Sequence, residues 1–285
     1  MIDSVRSLLT VFPYAIAAGV LIATVCSLLG VFVILKRVVF IGIALSEAAA
    51  LGVAAAIMFH IHPFLGATVV TLATVAILAY PFERQRLPRD AVLGIIFVLA
   101  ASLSVLLVAR SGFGLHEVQS LLYGDLILTS RADLAIILVT LVPVLIYLLV
   151  FIRPSLYTFL DREAARVMGV RVMIWELLFF FSLGVAVSAA SKVAGALLVF
   201  CYLVVTPSAA LLLSKRLWLV MLSAVLVSVA ATMIGMVWSF RSDLPTNQAV
   251  AATACGLFAA VLVLVGIRRL LVRRVPAESI RLAGS

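Results

Sequence analysis

The stretch KRVVFIGIALSEAAALG, residues 36–52, places one carboxylate, Glu47, in the middle of an apolar segment. A charged side chain inside a membrane helix is costly, and it marks a functional site by default. Lys36 and Arg37 precede the segment, as basic residues do at the cytoplasmic end of a membrane helix. Small residues that allow close helix packing recur at every fourth position: Ala44, Ala48, Gly52 and Ala56. We therefore expect a packed membrane helix in which Glu47 faces protein or a cavity.

The composition of the chain excludes a soluble globular domain. Of its 285 residues, 66% are hydrophobic and 12% are charged, which is typical of a polytopic membrane protein. The net charge of +9 is spread over short gaps between apolar runs, which indicates membrane orientation and not a nucleic-acid partner. No polar stretch is long enough for a nucleotide-binding domain. We expect residues 1–285 to form a single transmembrane domain in membrane lipid, driven by a gradient or by a partner.

Nine apolar runs approach or exceed the length that crosses a bilayer, which is about 20 residues. They are residues 14–35, 40–59, 64–82, 91–109, 134–152, 174–190, 193–214, 217–240 and 248–267. The first run is the least defined, because residues before Pro13 could lie as an interfacial helix. Gly195 and Pro207 predict a kink in the seventh run that would free backbone carbonyls. We predict an all-α bundle of eight or nine transmembrane helices.

The basic residues are unequally divided between alternate gaps. Sixteen of the 21 Lys and Arg lie in the gaps at 36–37, 83–90, 153–171 and 215–216 and in the tail 268–285. The positive-inside rule makes this face cytoplasmic, so the C-terminus is expected inside. The opposite face has the remaining five: Arg6, Arg110, Arg131, Lys192 and Arg241. Lys192 is expected to extend its amine towards the outer interface.

Two gaps are longer than a turn requires. The outer gap contains LHEVQSLLYGDLIL, residues 115–128, which is apolar enough to enter the interface as a short helix. The inner gap contains FLDREAARVMGVR, residues 159–171. There Asp161 can cap a short helix that carries Glu163 and Arg166 and ends near Gly169. An ordinary solvated connector is the alternative for this inner segment.

These two segments belong to a series of four blocks. The others are GVFVILKRVVFIGIALSEAAALGVA, residues 30–54, and KVAGALLVFCYLVVTPSAALLL, residues 192–213, the latter followed by SFRSDLP at 239–245. Taken in chain order, the blocks at 30–54, 115–128, 159–171 and 192–213 resemble the permease subunits of zinc, manganese and iron ABC importers. The resemblance implies a bundle of the type II ABC importer kind in the bacterial cytoplasmic membrane. It also implies a homodimer, or a heterodimer with a similar permease, around a translocation path.

The resemblance implies further partners. A separate ABC ATPase subunit would bind and hydrolyse ATP, so this chain would be no enzyme and would bind no cofactor. The ATPase would dock on a set of residues in the inner gap: Asp161, Arg162, Glu163, Arg166 and Gly169. A metal-binding solute-binding protein would deliver the cargo at the outer face, where Arg110, Arg131 and Arg241 could pair with its acidic surface.

The path residues depart from the pattern of this family. Its members have an aspartate and, four residues on, a histidine that line the metal path, and this chain has Ile43 and Glu47 there. Isoleucine removes one oxygen ligand, whereas glutamate supplies a hard oxygen in place of an imidazole nitrogen. Carboxylates from two protomers could still meet around a divalent metal, with Ser46 beside them. The alternative is a buried neutral Glu47 that is hydrogen-bonded to Ser46 or to the backbone.

The histidines are candidate metal ligands at the outer mouth. His60 and His62 lie in the gap after the second run, and imidazole binds borderline metals such as zinc. The alternative is that polar residues simply collect at membrane edges.

Other functions remain as rival hypotheses. An ion-gradient-driven secondary transporter, or a permease of the same fold with a non-metal substrate, would share the composition. A membrane-embedded enzyme is disfavoured, because the sequence contains neither an HExxH zinc motif nor a GxSxG nucleophile elbow.

Overall fold

The computed structural model describes residues 12–78, 88–110, 124–160, 162–169 and 171–274. Within these ranges the chain forms ten α-helices and no β-strand, which confirms the all-α prediction. The helices are α1 Pro13–Leu35, α2 Phe40–Met58, α3 Pro63–Leu78, α4 Arg89–Arg110, α5 Arg131–Val150, α6 Ile152–Leu160, α7 Arg162–Val167, α8 Val172–Leu213, α9 Leu217–Ser242 and α10 Thr246–Arg274. A 3₁₀ turn, Leu126–Leu128, precedes α5.

Seven of the helices in the described ranges are long and apolar enough to cross a membrane: α1, α2, α4, α5, α8, α9 and α10. Helix α3 is apolar but has only 16 residues before the described range ends. Helix α8 has 42 residues. At 1.5 Å per residue it would be about 63 Å long if straight, twice the roughly 30 Å of a bilayer core. It therefore contains two of the nine predicted runs.

Gly195 divides α8 into two segments that run in opposite directions. In the first segment Glu176 contacts Lys36, and in the second Leu203 lies against Gly30. Lys36 and Gly30 are only about 9 Å apart along α1, whereas a straight α8 would separate their partners by about 40 Å. The chain must therefore fold back between Glu176 and Leu203.

The break lies at Gly195, which has φ 71° and ψ 161°. A residue without a Cβ adopts this left-handed φ at little cost. The apolar runs predict a gap at residues 191–192, and this boundary is wrong, because both residues are helical. The expected kink is thus found at Gly195, whereas Pro207 lies within regular helix.

The core forms where α1 and α2 pack against α8. Small residues bring the helices together: a Cβ on Gly30 would lie 2.3 Å from the carbonyl oxygen of Leu203. The ridge of small residues predicted on α2 is buried as expected. The largest fully buried side chain belongs to Tyr202, whose hydroxyl hydrogen-bonds to that of Thr232 at 2.6 Å.

The bundle has two ends, which group the predicted gaps as the sequence analysis did. The Lys36 end holds the α1–α2 turn, α6, α7 and the start of α8, since Lys36 contacts both Phe159 of α6 and Glu176 of α8. The Lys192 end holds residues 124–130 and the break of α8, since Gly124 lies against Gly195.

Candidate translocation path and the two ends of the bundle

Helix α2 is covered by α3, α4 and α8 on all but one side. Between residues 41 and 56 every residue is buried except four. These four form a partly exposed stripe with a spacing of one helical turn: Ile43, Glu47, Leu51 and Ala55. Glu47 is the only charged residue of α2. The structure therefore places the one carboxylate of this helix on its one uncovered side, which we call the α2 stripe.

Ser46 differs from the expectation that it lines the path. Its side chain is fully buried, because it lies about 100° around the helix from Glu47. Within the described part of the chain its hydroxyl oxygen has no hydrogen-bond partner. The alternative of a Glu47 held by Ser46 is therefore not formed. Ile43 does lie on the α2 stripe, but it offers only an alkyl side chain there.

His60 and His62 lie at the Lys192 end and are exposed. His62 accepts a hydrogen bond from the amide of Phe64 at 3.3 Å, next to the start of α3. Glu47 lies eleven residues before Met58, the last residue of α2, which is about 17 Å along the helix. Among the described residues no group of three or more His, Cys, Asp or Glu side chains could hold a metal ion. Glu47 thus lies well below His60 and His62 along the axis of α2, on the side of the Lys36 end.

The short helix predicted in the inner gap is present as α7. It ends at Val167, and the turn that follows is closed by Gly169, which has φ 76° and donates its amide to the carbonyl of Arg166 at 3.0 Å. Ala165 faces inward and is fully buried, whereas Glu163 and Arg166 are exposed. Two apolar side chains on this element are also exposed, Val167 at 88% and Met168 at 57%. Asp161 and the side chain of Arg162 lie outside the described residues.

The three predicted docking arginines stand at helix ends on the Lys192 side. Arg110 is the last residue of α4, and Arg131 is the first of α5. Arg241 lies one residue before the end of α9. Arg131 and Arg241 are exposed, and the side chain of Arg110 lies outside the described part.

Sequence reasoning missed an ion pair at the Lys36 end. Lys36, interpreted only as an orientation signal, contacts Glu176, and the two side chains are 9% and 14% exposed. The ammonium nitrogen also lies 4.0 Å from the ring centre of Phe180 and 5.0 Å from that of Phe159. We call these four residues the Lys36 cage. A second carboxylate inside an apolar run, Glu176, was the signal available in the sequence.

A second ion pair stands at the other end. Lys192 does not extend to the interface as expected, because its ammonium lies 2.6 Å from Asp133. Asp133 also forms a capping box with Ser130 at the start of α5.

The break in α8 is covered by a segment that no local sequence pattern connects with it, residues 124–128. A Cβ on Gly124 would lie 2.6 Å from the amide nitrogen of Gly195, so only glycine fits there. The buried side chain of Asn247 holds this segment: it donates to the carbonyl of Gly124 at 2.9 Å and accepts from the amide of Leu126 at 3.3 Å.

The sequence profile of one known family matches residues 9–265, which includes the α2 stripe, the break in α8 and α7. The chain belongs to the ABC 3 transport family. This ABC 3 family member is therefore a multi-pass membrane protein and a transport permease. The resemblance found in the sequence is thereby confirmed.

Individual relatives match nearly the full length of the ABC 3 family chain. The manganese transport system membrane protein MntC of Halalkalibacterium halodurans is 28% identical over 246 residues, which cover 86% of this chain and 84% of MntC. The high-affinity zinc uptake system membrane protein ZnuB of Buchnera aphidicola is 24% identical over 261 residues, 91% of this chain and 98% of ZnuB. The solved structure of PsaBC from Streptococcus pneumoniae in complex with Fab has the same fold, with a TM-score of 0.82, 22% identity and coverage of 92% and 95%.

Proposed function

We propose that the chain is the permease subunit of an ABC importer that moves a divalent transition metal, manganese, zinc or iron, across the bacterial cytoplasmic membrane. The observation that carries the proposal is the position of Glu47 on the α2 stripe. An intramembrane carboxylate is costly unless it meets a partner or a passing cation. The relatives named for manganese and zinc support a metal as cargo.

The path forms where two permeases meet. The α2 stripe is the uncovered side of a helix that α3, α4 and α8 otherwise enclose. A second copy of the chain, or a similar permease, placed against this side would bring a second path helix close to Glu47. Carboxylate oxygens suit manganese better than soft ligands do, and zinc accepts them as well. The path in this proposal is a low-affinity relay that the metal passes through and does not occupy permanently.

The Lys36 end faces the cytoplasm in this proposal, as the distribution of basic residues predicts. The tail 268–285 then lies inside, and residues 1–285 make one permease domain. Helix α7 receives the ATPase subunit, because it combines exposed charges with the exposed apolar side chains of Val167 and Met168. ATP is bound and hydrolysed by that subunit, and this chain contributes no cofactor.

The Lys192 end faces outward and receives the solute-binding protein. Arg131 and Arg241 are exposed there and present positive charge to an acidic partner surface. The exposed His60 and His62 add imidazole nitrogens at the same end, where they can bind a metal transiently before it enters the path.

The test is uptake by proteoliposomes that contain the permease with or without its ATPase subunit. Manganese, zinc and ferrous iron are supplied separately with the solute-binding protein, and ATP is enclosed on the ATPase side. We expect uptake of at least one metal only when both the ATPase and ATP are present. Uptake that a proton gradient drives without the ATPase would overturn the proposal in favour of a secondary transporter.

A further inference from the structure

We propose that Lys36 is a positioning residue that joins the coupling helix α7 to the path helix α2, so that a movement of α7 is transmitted to the α2 stripe. The proposal rests on the proposed function, in which an ATPase subunit docks on α7. The geometry that carries it is the Lys36 cage, which brings three separate segments of the chain to one ammonium group.

The first segment is the turn between α1 and α2. Arg37 has a left-handed φ of 59°. Its amide donates to the carbonyl of Ile34 at 2.9 Å, and that of Val38 donates to Val33 at 3.2 Å. This pair of bonds is a Schellman motif, which fixes the direction of the chain after a helix. Since α2 begins only two residues after Val38, a displacement of Lys36 is passed directly to the start of α2.

The second segment is the end of α6. Phe159 is the penultimate residue of α6, and α7 begins at Arg162, three residues later. The ring of Phe159 lies 5.0 Å from the Lys36 ammonium. It also packs edge-on against Phe32 of α1, with ring centres 6.1 Å apart, and against Phe179 of α8, at 4.8 Å. Only residue 161 separates the end of α6 from α7, and the two helices contact each other, so a movement of α7 would reach Phe159 and disturb these ring contacts.

The third segment is the start of α8, which supplies the carboxylate of Glu176 and the ring of Phe180. A largely buried ammonium group is stable only while it keeps an anion and aromatic faces around it. Moving α7 away would separate Phe159 from the cation and weaken this arrangement. The ammonium group of Lys36 would therefore move together with the ring of Phe159 and the carboxylate of Glu176. The turn that leads into α2 would move with Lys36.

The chain offers a matched control at its other end. Lys192 pairs with Asp133 at 2.6 Å, with side chains that are 20% and 24% exposed. This second ion pair also joins α8 to a neighbouring helix, but it lies at the end of the bundle opposite α7. Breaking either ion pair would lower the stability of the bundle. Only breaking the pair at Lys36 would also lower the coupling between ATP hydrolysis and transport.

The first experiment measures metal transported per ATP hydrolysed in proteoliposomes that contain the permease and its ATPase. We expect Lys36→Gln to lower this ratio by roughly 2- to 30-fold, the range for residues within a coupling network. ATP hydrolysis and co-purification of the ATPase should be retained. Lys36→Arg should restore the ratio, because arginine keeps the charge and stacks on aromatic rings, and Lys192→Gln should leave it unchanged. An unchanged ratio in Lys36→Gln, or loss of the bound ATPase in that variant, would overturn the proposal.

The second experiment needs no ATPase. Spin labels are placed on the full-length permease through Phe40→Cys at the start of α2 and Arg166→Cys on α7, both exposed. The exposed Cys255 is replaced by serine, and Cys26 and Cys201 are buried. We expect a narrow distance distribution in the wild type, Lys36→Arg and Lys192→Gln, and a broadened one in Lys36→Gln. A distribution in Lys36→Gln as narrow as the wild type would refute the linkage. These distances test the linkage between α7 and α2 independently of transport. Uptake without the ATPase would refute only the proposed function.

Discussion

A Cβ atom on Gly52 would lie 2.3 Å from the carbonyl oxygen of Gly66, and one on Gly66 would lie 2.3 Å from the carbonyl oxygen of Gly52. Helices α2 and α3 therefore touch backbone to backbone at this point. Without a hydrophobic driving force between helices in lipid, such close packing is a main source of their association. This contact fixes the rotation of α2, and with it the side to which Glu47 points.

Substitution of Gly52 by alanine should destabilise the bundle. The added methyl group would meet backbone atoms, which cannot yield as a side-chain end can, and overpacking of this kind costs about 1–3 kcal/mol. We expect a lower Tm of the detergent-solubilised protein, measured by tryptophan fluorescence. Gly94→Ala on α4 is the control, because a Cβ on Gly94 would have no neighbour within 4 Å. An equal Tm for the two variants would contradict the close contact.

Removal of the carboxylate from the α2 stripe should impair transport without loss of the fold. Glu47→Ala is expected to lower metal uptake by roughly tenfold or more, equivalent to about 1.4 kcal/mol of lost stabilisation in the path. Glu47→His should retain uptake and shift the preference from manganese towards zinc, because imidazole is the softer ligand. The measurement is metal accumulation in cells that express each variant at equal membrane levels.

Leu51→Ala is the matched control for Glu47→Ala, since Leu51 lies one turn further on the same stripe and neither leucine nor alanine is a metal ligand. It should accumulate metal at the wild-type level. Wild-type accumulation of every metal by Glu47→Ala would remove Glu47 from the path.

Much of this fold could be predicted from composition and charge, because membrane helices are recognised in a sequence by the length and apolar composition of their runs. A kink at Gly195 was among these predictions, but the reversal of the chain at that residue was not. Lys192 suggested a polar gap, yet it lies in helix and pairs with Asp133. The true break is at Gly195, and glycine is too common in membrane helices to signal a reversal by itself.

The site was predictable only in part, for a related reason. Its carboxylate in an apolar run makes Glu47 a candidate, since the cost of such a group depends on the local sequence alone. Which neighbours of Glu47 share its uncovered side depends on the helices that cover the other sides of α2. Ser46 is buried against those helices, although it is adjacent to Glu47 in sequence. The partner of Lys36 is 140 residues away, and no local pattern joins the two.

Exposed apolar surface on α7 should be required for assembly with the ATPase. Val167→Asp places a charge where an interface would exclude water, and such a group is costly to bury. We expect co-purification of the ATPase to fall by about tenfold, the effect of an interface residue worth about 1.4 kcal/mol. Leu128→Asp is the control, since Leu128 is 76% exposed at the Lys192 end. Equal loss in both variants would point to misfolding, and no loss in Val167→Asp would exclude α7 as the contact.

Asn247 should be essential for the stability of the Lys192 end. Its amide donates to the carbonyl of Gly124 and accepts from the amide of Leu126, a turn 121 residues earlier in the chain. Asn247→Ala would leave both backbone groups without these partners, and a buried unsatisfied group costs about 1–3 kcal/mol. Asn247→Asp keeps the acceptor but places a carboxylate oxygen against the carbonyl of Gly124, so its effect should be at least as large as that of Asn247→Ala.

The measurement for Asn247 is thermal unfolding combined with amide hydrogen exchange at residues 124–130. Both variants should lower the Tm and speed exchange in this segment, because the side chain that holds it against the break of α8 is lost. Gln248→Ala is the control, since Gln248 is the next residue of α10 and is exposed. If exchange at 124–130 is the same in Asn247→Ala as in Gln248→Ala, packing of Leu126 and Gly124 alone holds the segment, and the hydrogen bonds of Asn247 contribute nothing measurable.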